Sequence, residues 1–531
     1  MTFQPESIVM KGGIHSISGK TLIVCNEDLL NLVREELEGL LEDAKFSPTY
    51  PDRVPPEVAN VIYLSDSPLL FIQAEMPGGN EDFSLKRSEH DGRRYWQIVS
   101  PSRRGQYYGL MKFLEGNDFS DDGPGFEIRG VVEGFYGPMW SWEDRLNMVR
   151  FMSDLKMNLY VYAPKDDPIH RERWRDLYEE ETIERFHELA DACASRMIEF
   201  CYALSPGLSI DYSSDDELGT VIDKFRQFLE IGVSRFGLFL DDIPEKLQSE
   251  SDQERFHSLG EAHRAFTEKV YRKLRELDSE ASLIFCPTEY HGVESTAYHS
   301  EISKLPGDIL VFWTGPRICS REIRSRDAEK MAGAFGRKLL IWDNYPVNDY
   351  DRRRMHLNAV RDRDADLPQH CAGFLANPMS EAEASKVAIF TYGEYLWNPG
   401  EYEPDVSLDR ALTYSFGIDA LPLARTLSES LVDFFFDPDE RNRWIQDAIS
   451  GGDDIDLELL LHRFDEIART SDLLCTLENE QLVDEIEPYV KKVADIGALG
   501  KLYIQRELLR RKIGKNRSRV FSEAVLDRLL S

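Results

Sequence analysis

The feature that most limits how this chain can fold is a regular alternation between residues 126 and 400. Short apolar runs recur at Ile128–Glu133, Leu159–Ala163, Phe200–Leu204, Phe236–Leu240, Leu283–Cys286, Ile309–Trp313, Leu339–Trp342 and Gly373–Ala376. Each ends in polar residues or in Gly and Pro, and a helical pattern follows each. Runs that are apolar throughout, rather than at every second residue, fit strands buried on both faces of a parallel sheet. Eight strand–helix units within about 275 residues match a (β/α)8 barrel in number and size. A doubly wound open sheet is the alternative, but it gives no reason for a polar cluster after every strand. Two of the intervening helices carry start signals: Ser141-x-x-Asp144 and Ser380-x-x-Glu383 each predict a capped N-terminus.

The flanks differ in pattern. Residues 1–123 mix strand-like runs (Thr21–Cys25, Val61–Leu64) with helical patterns at 29–43 and 105–115, which predicts a small α/β domain. The Gly-, Asp-, Pro- and Ser-rich stretch Gly116–Gly125 is the expected linker to a barrel domain over 124–405. Beyond 405 the strand signals stop. The segments Asp456–Leu477 and Glu478–Arg511 are helical in period and heavily charged, so 406–531 is expected to be an all-helical domain.

Ninety-six acidic and 63 basic side chains give a net charge of -33. That balance argues against nucleic acid and anionic membranes as partners, because their phosphates would be repelled. No apolar stretch reaches the roughly 18 residues of a membrane helix. The start MTFQPESIVMKGG has no signal-peptide pattern, so a cytoplasmic location is expected. Seven scattered cysteines without a CxxC pair form neither a disulfide framework nor a zinc ribbon. Oligomeric state is not legible.

Barrel chemistry sits at the C-terminal ends of the strands. Taken in order, those ends read Glu133-Gly134-Phe135-Tyr136-Gly137, Tyr162-Ala163-Pro164-Lys165-Asp166-Asp167, Ser205-Pro206-Gly207, Asp241-Asp242-Ile243, Pro287-Thr288-Glu289-Tyr290, Trp313-Thr314-Gly315, Trp342-Asp343-Asn344 and Asn377-Pro378. HExxH, GxSxG and phosphate-loop signatures are missing, which argues against hydrolytic zinc, serine hydrolase and nucleotide chemistry. No cofactor and no metal is expected. Carboxylates among Trp, Tyr and Asn suit sugar chemistry. Aromatic faces stack on sugar rings, amides and carboxylates bind hydroxyls, and a carboxylic acid expels the leaving oxygen. A lone Asp-Asp pair is more often a helix cap or a solvated turn. This pair follows the fourth strand of a barrel, which favours a catalytic reading.

Over residues 128–245 and 284–378 the chain resembles the catalytic domain of glycoside hydrolase family 84, the β-N-acetylglucosaminidase/O-GlcNAcase family. The matching strings are RGVVEGFYG, YVYAPKDDP, LSPGLSI, LFLDDI, FCPTEYHG, WTGP, WDNYPVNDYD and LANP, in order along the strand ends. One departure is the loop Gly137-Pro138-Met139-Trp140, whose proline stands one position earlier than the family's. A different local loop shape is expected there.

The resemblance implies a retaining exo-enzyme that removes terminal β-linked GlcNAc from glycoconjugates or glycopeptides, with the substrate's own acetamide as nucleophile. It implies that Asp241 orients the acetamide and that Asp242 is the general acid and base. Neighbouring residues of a strand point to opposite faces. Both aspartates can therefore face a substrate only if the strand ends at Leu240 and the chain turns, a requirement that Pro244 fits. Lys165 would reach a sugar hydroxyl or the leaving-group side. Carried over from the family, Gly134, by its backbone, Asp349 and Asn377 would meet sugar hydroxyls. Tyr290 and Asn344 would border the acetamide. Trp342 and Tyr136 would form apolar walls, with Thr314 nearby. Cys286 and His291 would flank the site. Asp166 and Asp167 are expected to brace their loop or to pair with Arg171, Arg173 or Arg175. Three rivals remain: a chitinase-like or hyaluronan-degrading endo-enzyme, a non-catalytic sugar-binding protein, and a scaffold acting through its helical tail.

Overall fold

The computed structural model describes residues 17–431 and 456–512, apart from 38–39, 42, 52, 73 and 117–120. Most of the expected linker core, Asn117–Ser120, and the start of the chain therefore lie outside the described residues.

Strands β1 (Thr21–Val24), β2 (Ala44–Ser47), β3 (Asn60–Ser65), β4 (Ser84–His90) and β5 (Arg93–Val99) form one sheet in the order β2-β1-β3-β5-β4. Its pairs are parallel except β4 with β5. Helices Glu27–Leu37 and Arg103–Glu115 pack against it, as the α/β pattern of this region predicts. A buried ion pair at 2.7 Å, Arg129 to Glu81, ties this unit to the first strand of the barrel.

The expected barrel is present and closed. Strands β6 (Ile128–Glu133), β7 (Leu159–Tyr162), β8 (Glu199–Leu204), β9 (Arg235–Phe239), β10 (Ser282–Cys286), β11 (Leu310–Trp313), β12 (Leu339–Pro346) and β13 (Cys371–Asn377) pair in parallel around the ring. The ring closes where Gly373 to Ala376 of β13 stand opposite Ile128 to Val131 of β6. The all-apolar runs now have a physical cause. In β8, Cys201 and Ala203 fill the barrel interior, while Phe200, Tyr202 and Leu204 pack outward on the helices. Both faces of each strand are dry, so polar residues are few before the strand ends, and Arg129 in β6 is held in a buried ion pair.

Helix Trp142–Asp154 starts with the expected capping box, in which Ser141 and Asp144 satisfy each other's backbone N–H. The second expected cap does not form. Helix Ala382–Trp397 has no side-chain cap of its own, and Ser380 donates to Glu381 instead. The free backbone N–H groups of Glu383 and Ala384 donate to the Glu485 carboxylate, at 3.2 and 2.8 Å. A carboxylate at a helix N-terminus is well placed against the helix dipole, and here it outcompetes the local serine. Glu485 belongs to the long helix Glu480–Lys512, which follows helices Pro404–Phe416, Leu421–Ser430 and Leu457–Ala468. Among the described residues no helix is long and apolar enough to cross a membrane.

Candidate active site

The site is built where β9 ends. Leu240 follows its last residue, Phe239, and the backbone then turns through Asp242, whose φ is +49°. Aspartate is among the few side chains that enter this left-handed region readily. The left-handed turn is the physical form of the break that a double-aspartate site requires, because it lets both carboxylates face one side.

The two carboxylates meet different surroundings. Asp241 is buried, and its Oδ2 accepts from Lys165 Nζ at 2.5 Å. Its Oδ1 is also buried and has no hydrogen-bond partner. A buried acceptor without a donor costs about 1–3 kcal/mol, and this one belongs to a residue of the pocket wall, where a bound ligand can donate to it. Asp242 is exposed, and both its oxygens are held by phenols: Tyr290 donates to Oδ1 at 2.8 Å and Tyr136 to Oδ2 at 2.9 Å. Burial first, and then the charge of Asp242, push both phenols above the usual tyrosine range, so they remain protonated donors. The Asp242 carbonyl accepts from Arg171 at 2.9 Å, which pins the turn.

Around the pair, β12 supplies Trp342 on the inward face and Asn344 two residues on. Trp342 Nε1 and Asn377 Nδ2 both donate to Asn344 Oδ1, each at 2.8 Å. Asn377, at the end of β13, accepts from the Gly134 N–H at 3.2 Å. Gly134 is needed for close approach, since a Cβ there would lie 2.3 Å from the Trp342 ring. The indole also stands 5.6 Å from Lys165 Nζ, a cation–π distance. Asp349 accepts from the Tyr136 N–H at 2.8 Å. Burial raises its carboxyl above the ordinary value, opposed by backbone N–H bonds and by Arg352.

All eleven residues singled out from the sequence line one pocket: Gly134, Tyr136, Lys165, Asp241, Asp242, Tyr290, Thr314, Trp342, Asn344, Asp349 and Asn377. Cys286, expected beside the site, also lines the pocket, and burial holds its thiol well above the usual range and unreactive. His291 is exposed next to Tyr290 and does not line the pocket. Sequence reasoning missed Ile318, Cys319, Val347 and Tyr350. Val347 and Tyr350 fall within the string WDNYPVNDYD and could have been read. Ile318 and Cys319 sit on a loop whose side-chain directions no pattern encodes.

A further expectation, the partners of Asp167, resolves in part. Asp167 does brace its loop, but through Tyr162 and Tyr178, which donate at 2.7 and 2.6 Å, and through the Ile169 N–H. It does not pair with the arginines. Arg173 faces Asp176, Arg175 faces Glu217, and Arg171 bonds Ser205 and Asp242. The shifted proline leaves Trp140 buried, packed on Phe135 and donating to the Met379 carbonyl at 3.1 Å.

Comparisons with known proteins point to one family. A family model described as beta-N-acetylglucosaminidase matches residues 129–434. The chain is 39% identical over 270 residues to Protein O-GlcNAcase of Rattus norvegicus, and equally to that of Mus musculus. Those alignments cover 49% of this chain and 29% of each relative, so the chain spans under a third of the curated relatives it matches. Among solved structures, a mutant of the Thermobaculum terrenum O-GlcNAc hydrolase is 33% identical, with a TM-score of 0.67 over 73% of this chain and 90% of that one. CpGH84B is 25% identical, with a TM-score of 0.78 over 94% of this chain and 90% of its own.

Proposed function

Because the chain belongs to the β-N-acetylglucosaminidase family, glycoside hydrolase family 84, we propose that it is a retaining exo-hydrolase of terminal β-linked GlcNAc. Its substrates would include GlcNAc on serine or threonine of proteins. The observation that carries the mechanism is the orphaned Oδ1 of Asp241. In this reading it accepts the N–H of the substrate's 2-acetamido group while Lys165 fixes the other oxygen. The acetamide oxygen then attacks the anomeric carbon, forming an oxazoline, and the aglycone oxygen leaves. Asp242 gives that oxygen a proton and afterwards takes one from the water that opens the oxazoline. With the nucleophile supplied by substrate, the usual spacing rule for two catalytic carboxylates does not apply. Tyr136 and Tyr290 hold the acid. Asp349, Asn377 and the Gly134 backbone meet hydroxyls. Trp342 forms the floor, and Asn344, with Thr314 near it, borders the acetamide.

The reading also takes residues 1–123, 124–405 and 406–531 as three folding units. It places the protein in the cytoplasm, where buried and unpaired Cys25, Cys193, Cys201 and Cys371 suit a reducing compartment. The test is release of the aryl alcohol from an aryl β-N-acetylglucosaminide, run beside the matching β-glucoside and with Asp241→Asn and Asp242→Asn. Turnover should require the N-acetyl group and collapse in both variants. Equal turnover of the glucoside would remove the acetamide from the mechanism. Internal cleavage of a chito-oligosaccharide would replace exo with endo action.

A further inference from the structure

One helix outside the barrel reaches the segment that holds the acid. Tyr489, buried on helix Glu480–Lys512, donates its hydroxyl to the Arg352 carbonyl at 2.7 Å. The Arg352 guanidinium donates to the Tyr136 carbonyl at 2.7 Å. Tyr136 in turn donates its hydroxyl to Asp242 at 2.9 Å. The guanidinium occupies space that exists only because residue 137 is glycine: a Cβ there would fall 1.3 Å from Arg352 Nη2, and the φ of +103° independently favours glycine. Tyr136 is 40% exposed, so packing alone does not hold it. Its place depends on the polar contacts at its two ends and on the Arg171 guanidinium, 5.7 Å over the ring.

We propose that Arg352 and Tyr489 are positioning residues for the general acid, acting through Tyr136, and that the long C-terminal helix thereby belongs to the catalytic apparatus. The proposal rests on the reading of Asp242 as the acid. A side chain that fixes a catalytic group within a few tenths of an ångström affects the step that group performs and leaves other steps alone. Glycoside cleavage offers that separation. A phenyl leaving group needs its oxygen protonated, whereas a dinitrophenyl leaving group departs without acid assistance.

The experiment uses the full chain and compares kcat/KM, which reports only the steps up to departure of the leaving group, on phenyl and dinitrophenyl β-N-acetylglucosaminides. Tyr489→Phe and Arg352→Gln should each lose about five- to tenfold on the phenyl substrate, the scale of one lost hydrogen bond, and less than about twofold on the dinitrophenyl substrate. Arg352→Lys should recover part of the phenyl activity. In a Tyr136→Phe background, Tyr489→Phe should add nothing, because both act on one path. Lys491→Ala, on the exposed side of the same helix, serves as the control with no effect. Thermal melts establish that each variant is folded. Equal losses on both substrates would assign Tyr489 a purely structural role and overturn the proposal. So would additivity with Tyr136→Phe, or wild-type rates in both single variants. A wild-type protein that turns over neither substrate would instead overturn the hydrolase reading beneath it.

Discussion

Gly134→Ala tests the pocket by adding a single methyl group. The new Cβ would stand 2.3 Å from Trp342 Cζ2 and 2.6 Å from Cη2, where ordinary contacts begin at 3.4 Å. The ring must therefore retreat by about 1 Å, or the β6 backbone must move. Neither is easy. The indole packs against Phe239 and Phe312, with centroids at 5.7 and 5.2 Å, and its Nε1 is tethered to Asn344. Overpacking of this kind costs about 1–3 kcal/mol of stability. Its effect on turnover should be larger in proportion, because a displacement of about 1 Å in a positioned wall can cost about a hundredfold in rate. The assay is kcat/KM for an aryl β-N-acetylglucosaminide beside a denaturant melt. Trp342→Phe deletes the indole edge that Cζ2 and Cη2 form, so the double variant should be more active than the two single losses predict. A favourable coupling of about 1 kcal/mol is expected. Gly134→Ala at full activity and full stability would refute the packing argument. A double variant showing simple additivity would refute the claim that the clash is with Trp342.

Three further outcomes follow from the same geometry. Glu485 is a carboxyl that burial raises to about 7 from an ordinary 4.5, against the N–H bonds of the helix it caps. The folded protein therefore keeps a proton that the unfolded chain releases. Stability should fall as pH rises from about 4.5 to 7 and then level off, by up to about 3 kcal/mol, and Glu485→Gln should flatten that slope in melts taken across pH. Lys165→Met leaves the buried Asp241 carboxylate without its cation, a loss of about 3–5 kcal/mol in denaturant titration, and adding Asp241→Asn should restore much of it. Asp349, raised by burial, should gain a proton at a higher pH than an ordinary aspartate and so lose acceptor strength for a sugar hydroxyl. KM should then rise on the acid side, and Asp349→Asn should abolish that rise in a KM-against-pH profile.

How much of this was legible depended on how local each cause is. The eight strands could be read because burial on both faces writes itself into consecutive residues. The pocket could be read because barrel topology converts strand ends into neighbours, so Asn377 and Gly134 meet although they lie 243 positions apart. What the sequence misreported were competitions. Ser380-x-x-Glu383 is a sound local cap signal, and it loses to a carboxylate about a hundred residues away. Asp167 has three arginines within eight positions and bonds two tyrosines instead, because Tyr162 and Tyr178 are buried beside it and need an acceptor. Arg352 and Tyr489 carried no signal at all, since a main-chain carbonyl as acceptor leaves no trace in residue type.

The adjacent aspartates also show how one backbone turn can give two identical groups different tasks. With extended backbone, one carboxylate of such a pair would face the barrel axis and the other the helices. The left-handed φ of Asp242 rotates the second carboxylate out to the rim, where the tyrosine hydroxyls wait. Asp241 stays in the wall, where a lysine neutralises it and one oxygen is left for a donor. A proton donor must exchange protons with water and so belongs where solvent reaches it, while a group that orients an amide gains from a dry site with a fixed charge. The division of labour thus needs no difference in residue type. It needs a position at which aspartate tolerates the turn, and Asp242→Ala should lose the turn geometry as well as the carboxylate, so that added small carboxylates would rescue it poorly. Asp242→Asn, which keeps the preference for this backbone region, is the cleaner probe of the acid itself.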